Sequence, residues 1–221
     1  MKKYFIFLLL VQFIFGENIA KIKSQIKKEY ESFYKDNQIK IADIILDLNP
    51  DTQINEVKIK DIILENKTFL ASGKVLIVFT FNNQTYKHLL RYKIQANLNV
   101  VYTQVGIKKS QDIMTKDVMI KNISIEELNG IPMGIGEVGN VSAKIFIPNQ
   151  TIIYNYHIES KILIRKNESF LATYSEGNVV IQLVLIAKEN GIKDSIIEAI
   201  NPETKKVVRV KVLSDGNGKI L

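Results

Sequence analysis

The chain has 221 residues, 46% of them hydrophobic, with 30 Lys and Arg against 23 Asp and Glu for a net charge of +7, and it contains no cysteine. That length serves one sizeable domain or two small ones with buried cores, and the missing cysteine excludes a disulfide framework, thiolate catalysis and Cys-containing zinc motifs. Basic and acidic residues alternate along most of the chain instead of the basic ones clustering with aromatics, which argues against nucleic acid as a partner.

Residues 1 to 16, MKKYFIFLLLVQFIFG, place two lysines before an apolar run from Tyr4 to Phe15 that only Gln12 interrupts, and Gly16 precedes the polar Glu17-Asn18. This is the plan of a cleaved secretory signal peptide, too short for a comfortable membrane span, so export is expected and the expected membrane contact is transient. An uncleaved N-terminal anchor is the alternative. Removing residues 1 to 16 takes away Lys2 and Lys3 and no acid, leaving 28 basic and 23 acidic residues and a net charge of +5.

From Asn18 to Asp36 the apolar residues Ile19, Ile22, Ile26, Tyr30 and Phe33 fall at spacings of 3, 4, 4 and 3, one stripe of an amphipathic helix. Lys21 to Lys28 on its other face, followed by Glu29 and Glu31, reads as a solvated surface. Strand patterns follow at Ile39 to Leu48, Glu56 to Leu64, Phe69 to Phe81 and Thr85 to Asn97, with turns at Asn49-Pro50-Asp51 and Asn82-Asn83-Gln84. One helix packed on a small antiparallel sheet is the expected N-terminal domain, residues 17 to 100. Asn97 to Gly106 has no Gly- or Pro-rich linker character, so this seam is expected to be a continuous strand or short hinge, with Asn97 and Gly106 as its hinge positions.

In the second half, within Ile113 to Val118, the Thr115 hydroxyl is placed to cap a turn before Asp117. Ser110-Gln111-Asp112-Ile113-Met114 recurs 39 positions on as Asn149-Gln150-Thr151-Ile152-Ile153, pairing Gln111 with Gln150 and Ile113 with Ile152. Gly134-Ile135-Gly136-Glu137-Val138-Gly139 satisfies G-x-G-x-x-G literally but lacks the strand before and helix after that a dinucleotide site needs, so no nucleotide is expected. His88 and His157 are far apart and have no His or Cys neighbour at metal-ligand spacing, and Glu126-Glu127 and Asp112/Asp117 come with no nucleophile motif. No catalytic residue, metal or cofactor is therefore expected.

Val179 to Ala187 is apolar at eight of nine positions, so both faces of this strand avoid water and each needs a cover. Either the fold wraps the second face, or the face with Val180, Val184 and Ile186, together with Phe170 and Tyr174 on the preceding strand, lies open to a partner. The closing stretch, Leu183 to Leu221, reads as a strand, a Gly-containing turn, a short strand, a Pro-containing turn and a hairpin across Ser214-Asp215-Gly216-Asn217-Gly218.

Asn190-Gly191, Asp194, Ile196, Asn201, Thr204, Lys206, Val208 and Val212 fall in register on the C-terminal signature of the flagellar P-ring assembly chaperone family, which this chain resembles. Gly191, Asp194 and Asn201 match its structural turns, Lys193 stands where that family usually has Gly, and Leu163 to Glu168 resembles its "L.RG..V" phrase with Lys166-Asn167 replacing the Gly. The resemblance implies a mostly β protein with an SAF-type β-clip domain over residues 101 to 221. It also implies a periplasmic, non-enzymatic chaperone that binds the P-ring subunit. SAF-containing pilus or secretion assembly proteins of the CpaB type share the domain but keep an N-terminal anchor. SAF-bearing carbohydrate-active proteins need large catalytic partners. Periplasmic material is expected to begin at Glu17, and an intact mass that retains Met1 would point to the anchored class.

Overall fold

A computed structural model describes residues 2–48, 57–65, 68–177 and 179–221, the first fifteen of these as backbone only. The helix α1 (Lys2–Phe33) carries Ile22, Ile26, Tyr30 and, one residue past its end, Tyr34, all essentially free of solvent contact. These four lie on one i±4 row, the ridge that seats best against a sheet. The stripe expected to close on Phe33 closes on Tyr34, because a third step of four continues the row. Phe33 stays exposed and stacks its ring on Phe69 with centroids 4.0 Å apart. The leader expected at residues 1 to 16 includes Met1, which lies outside the described residues, and the turn expected at Asn49-Pro50-Asp51 lies wholly outside them.

Beneath α1 is an antiparallel sheet of β1 (Lys40–Asp47), β2 (Lys58–Leu64), β3 (Ser72–Phe81), β4 (Gln84–Thr103) and β5 (Val118–Ser124), in the order β1-β4-β3-β2 with β5 also on β4. Asn82 and Asn83, at φ of 48° and 59°, make the two-residue loop between β3 and β4, a conformation Asn tolerates and the strand twist favours. Leu90, Tyr92, Ile94, Ala96, Leu98 and Val100 alternate inward along β4 and form the floor on which α1 packs. Tyr30 donates its hydroxyl to the Leu70 carbonyl at 2.7 Å and lies 3.2 Å from the Tyr92 hydroxyl, while Tyr34 donates to the Phe69 carbonyl at 2.8 Å. Burial, with the Tyr30–Tyr92 contact adding at Tyr30, raises the pKa of Tyr30 and Tyr34, so both stay neutral donors.

After β4 the same short unit occurs twice, 40 residues apart. Ser110 and Gln150 take left-handed φ of 61° and 52°, and one-turn 3-10 helices follow at Thr115–Asp117 and Asn155–His157. The Ile153 amide donates to Val101 O, and its counterpart at Ile113 donates to Val141 O, where β6 (Val141–Ala143) begins before pairing with β7 (Ile158–Ser160). The offset is thus 40, not the 39 that matching Gln111 to Gln150 gave. Gln150 is the counterpart of Ser110, since backbone conformation, not side-chain identity, recurs. The Thr115 hydroxyl does not make the expected cap. Asp117, mostly buried, accepts the Met114 amide through Oδ2.

The remaining strands are β8 (Ile162–Ile164), β9 (Ser169–Glu176), β10 (Val179–Ala187), β11 (Gly191–Ile192), β12 (Ile196–Ile200), β13 (Val207–Ser214) and β14 (Asn217–Ile220). Five of them close a barrel in the order β10-β12-β13-β14-β9, with β14 parallel to β9, around Ile164, Phe170, Leu185, Ile197, Val210 and Val212.

By contacts the chain divides into one unit of Met1–Gln104, Val118–Gly136 and Gln150–Asn155, and another of Val105–Asp117, Glu137–Asn149 and Tyr156–Leu221. A single cut after residue 100 does not describe this division, because β5 and the segment at 150–153 hydrogen-bond to β4. A methyl group at Gly218 would meet Val210 Cγ1 and approach the Lys211 carbonyl to 3.1 Å, whereas at Gly136 nothing lies within 4 Å. Gly218→Ala is therefore expected to cost about 1–3 kcal/mol and lower the melting temperature, and Gly136→Ala to leave it nearly unchanged. Thermal unfolding of both variants checks this.

Candidate functional site

The open apolar surface of the second unit is built by the β9–β10 hairpin. Its register sets Leu185 opposite Phe170, Val184 opposite Leu171, Leu183 opposite Ala172 and Ile181 opposite Tyr174. Side chains alternate across a strand, so Phe170, Ala172, Leu183 and Leu185 face the barrel interior, and Leu171, Val180, Val184 and Ile186 face out. Phe170 is only 4% exposed, whereas Val184 is 53% and Val180 66% exposed.

The expectation that Phe170 and Tyr174 share a face with Val180, Val184 and Ile186 is thereby corrected. Odd-even parity in this register puts Phe170 in the core and Tyr174 on the inner-face row beyond it. There the Tyr174 hydroxyl donates to Glu176 Oε2 at 2.8 Å, and that carboxylate raises the phenol's pKa. Leu171, 45% exposed, takes the place that Phe170 was expected to hold. The outer row continues across the barrel, since Ile186 lies opposite Ile200 and Ile200 opposite Val207. Leu171, Ile200 and Val207 are members the sequence did not reveal, because their adjacency depends on strand register and not on spacing along the chain.

The other expected positions fall elsewhere. Asn97 lies within β4, opposite Lys40 of β1 and Ser124 of β5. Gly106 lies two residues past Gln104, where the units divide. A methyl group on Gly191 would come within 2.6 Å of Val212, so the chain there needs glycine for close packing. Asp194, not Lys193, takes the left-handed conformation at φ 64°, and its carboxylate pairs with Lys211 at 2.9 Å, which lowers its pKa. Asn201 Oδ1 accepts the amides of Glu203 and Thr204, an Asx turn around Pro202. Asn167 takes φ 68° in the "L.RG..V"-like turn.

Groups that resembled chemistry have structural partners. Glu127 and Ser124 form a reciprocal capping box, and Glu126 pairs with Lys93 at 2.8 Å. Burial alone would raise the Asp112 pKa, but the Ser142 hydroxyl at 2.7 Å and the Lys161 ammonium outweigh it and hold the carboxyl below its usual range. Burial lowers the pKa of His157. The Gly134–Gly139 stretch makes a one-turn 3-10 helix at Ile135–Glu137 and then β6, so no long helix presents its N-terminus to a phosphate.

A family profile described as "Chaperone for flagella basal body P-ring formation" matches residues 98–220, more than half of the chain. The chain belongs to this family. The match to the P-ring formation family takes in the end of β4, both copies of the repeated unit and the whole barrel, including the open hairpin. Within it, a "Flagella basal body P-ring formation protein FlgA" from Aquifex aeolicus is 35% identical over 75 residues, 34% of this chain and 34% of that protein, about a third of each. The crystal structure of Salmonella FlgA in its open form is similar in fold at a TM-score of 0.64 and 14% identity, covering 90% of this chain and 92% of that one.

A charge on the outer row stays in water, whereas one in the barrel interior loses its hydration. Val184→Asp is expected to change stability by less than about 1 kcal/mol. Phe170→Asp is expected to cost at least about 4 kcal/mol and leave the barrel unfolded. Denaturant titration of the two variants separates the faces.

Proposed function

We propose that this chain is a periplasmic chaperone for flagellar P-ring formation, delivered by a cleaved leader at residues 1 to 16, and that it holds P-ring subunits before they join the ring. The observation that carries this reading is the family match over 98–220. The exposed Leu171, Val180 and Val184, with half-buried Ile186 on the same face, support it, because exposed apolar side chains gathered on one face mark an interaction site.

The physical task is modest. A ring subunit carries surface that its neighbours will bury, and until they arrive that surface drives aggregation. An apolar row on a rigid barrel covers it without covalent chemistry and is displaced when the larger subunit–subunit interface forms. Glu127 serves a cap, and Glu126, Asp112 and Asp194 serve ion pairs.

The wild-type chain, co-expressed in the periplasm with the P-ring subunit of the same bacterium, is expected to co-purify with it and to raise its soluble yield. If the two run separately on size exclusion and the subunit's yield does not change, the chaperone reading fails.

A further inference from the structure

Among the described residues, three of the strands with an open side, β1, β2 and β10, differ in how that side is protected. The first sheet ends in β1 and β2. Each carries charges, Lys40, Asp43 and Asp47 on β1 and Lys58, Lys60 and Asp61 on β2. Each is also interrupted by a register shift, at Ile41/Asp43 and at Ile59/Asp61. At each shift an aspartate turns on its own backbone: Asp43 Oδ1 accepts the Ile44 amide at 2.7 Å, and Asp61 Oδ1 accepts the Ile62 amide at 2.8 Å. Charges and bulges are the devices by which sheet edges avoid pairing with other chains.

The third open side belongs to β10, and it carries neither device. β9 covers one side of β10 throughout, but β12 joins the other side only at Ile186 and Ala187. Among the described residues, Val179 to Leu185 have no strand on that side, and no carbonyl or amide beyond β9 bonds them. The register with β9 runs unbroken, and the only polar side chain in the segment is Gln182. Seven extended residues make an edge of about 23 Å. The same residues carry Val180 and Val184 of the outer row, so edge and apolar face are continuous.

We propose that the free side of β10, from Val179 to Leu185, is a strand-docking edge. In our reading it takes one extended, apolar segment of an unassembled P-ring subunit as an added antiparallel strand. The occupant's form follows from the unmet backbone amides and carbonyls, which only another extended backbone satisfies along the whole length. Its apolar character follows from Val180 and Val184, which flank Gln182 on the outer face and would lie beside alternate side chains of an added strand. The inference rests on the chaperone reading and specifies how that site holds its client.

The test is amide hydrogen exchange of the full chain, free and bound to the P-ring subunit, with binding and melting of the double variant V180K/V184K on the same preparations. In the complex, exchange across 179–185 is expected to slow at least tenfold at the alternate amides directed away from β9. The variant is expected to melt like the wild type and bind at least tenfold more weakly. A complex that forms while these amides exchange as in the free chain overturns the edge proposal and leaves the chaperone reading standing. So does a folded variant with undiminished binding. Slowed exchange that appears in the chain alone on raising its concentration assigns the edge to a second copy and likewise overturns it. No complex with the wild-type chain removes both readings, and the binding measurement alone records that.

Discussion

Everything in the first unit hangs on the alternation of β4. Its twenty residues carry β1 and β3 on opposite sides, then β5, and its inward positions from Leu90 to Val100 meet the Ile22-Ile26-Tyr30-Tyr34 ridge of α1. A slip of one residue would turn that whole floor outward and Arg91, Lys93, Gln95, Asn97 and Asn99 inward, which makes the register nearly compulsory. Polar contacts then fix what hydrophobic contact leaves adjustable. Asn37, buried at the foot of α1, donates to both the Asn99 and Met133 carbonyls, and Asn122 reaches the Asn99 side chain. The two tyrosine hydroxyls hold consecutive carbonyls at Phe69 and Leu70, where Phe69 sits at an unfavourable φ of 49°.

Local signals in the sequence carried the parts of this fold that depend on local physics. The helical stripe needed only spacing, the Asn82-Asn83 hairpin only the tolerance of Asn for positive φ, and the Asn167 and Gly216 turns only the same rule. The misplaced members came from pairings between distant residues. Phe170 and Val184 are both apolar and fourteen positions apart, and nothing along the chain says that Val184 lies opposite Leu171 and not Phe170. The repeat was visible through a shared glutamine but off by one, because Ser110 and Gln150 share a backbone shape and no side-chain chemistry. The bulges in β1 and β2 were hidden for the same reason, since Asp43 and Asp61 read simply as polar positions in strands.

The barrel holds its apolar outer face in place with little chemistry. Its interior is filled by small and medium side chains, Ala172, Ala187, Ala199, Val210 and Val212 around Phe170, and by glycines where Cβ atoms have no room. Such a core is rigid, and a rigid base lets the β9–β10 hairpin present apolar residues outward without their collapsing inward. Of the barrel's ion pairs, Lys188 with Glu198 borders the end of the outer row at Ile186 and Ile200, and Lys211 with Asp194 joins β13 to the turn after β11.

The interleaving of the two units has a consequence for the order in which they are completed. The first unit includes Gln150–Asn155, where the Thr103 amide bonds the Thr151 carbonyl and the Ile153 amide bonds Val101. A chain synthesised from its N-terminus therefore completes α1 and the first four strands well before the segments that finish their sheet. Until residue 155 has emerged, the far end of β4 waits with unmet amides. Ending the chain anywhere between Val105 and Asn155 would leave neither unit whole, because each draws segments from beyond that point.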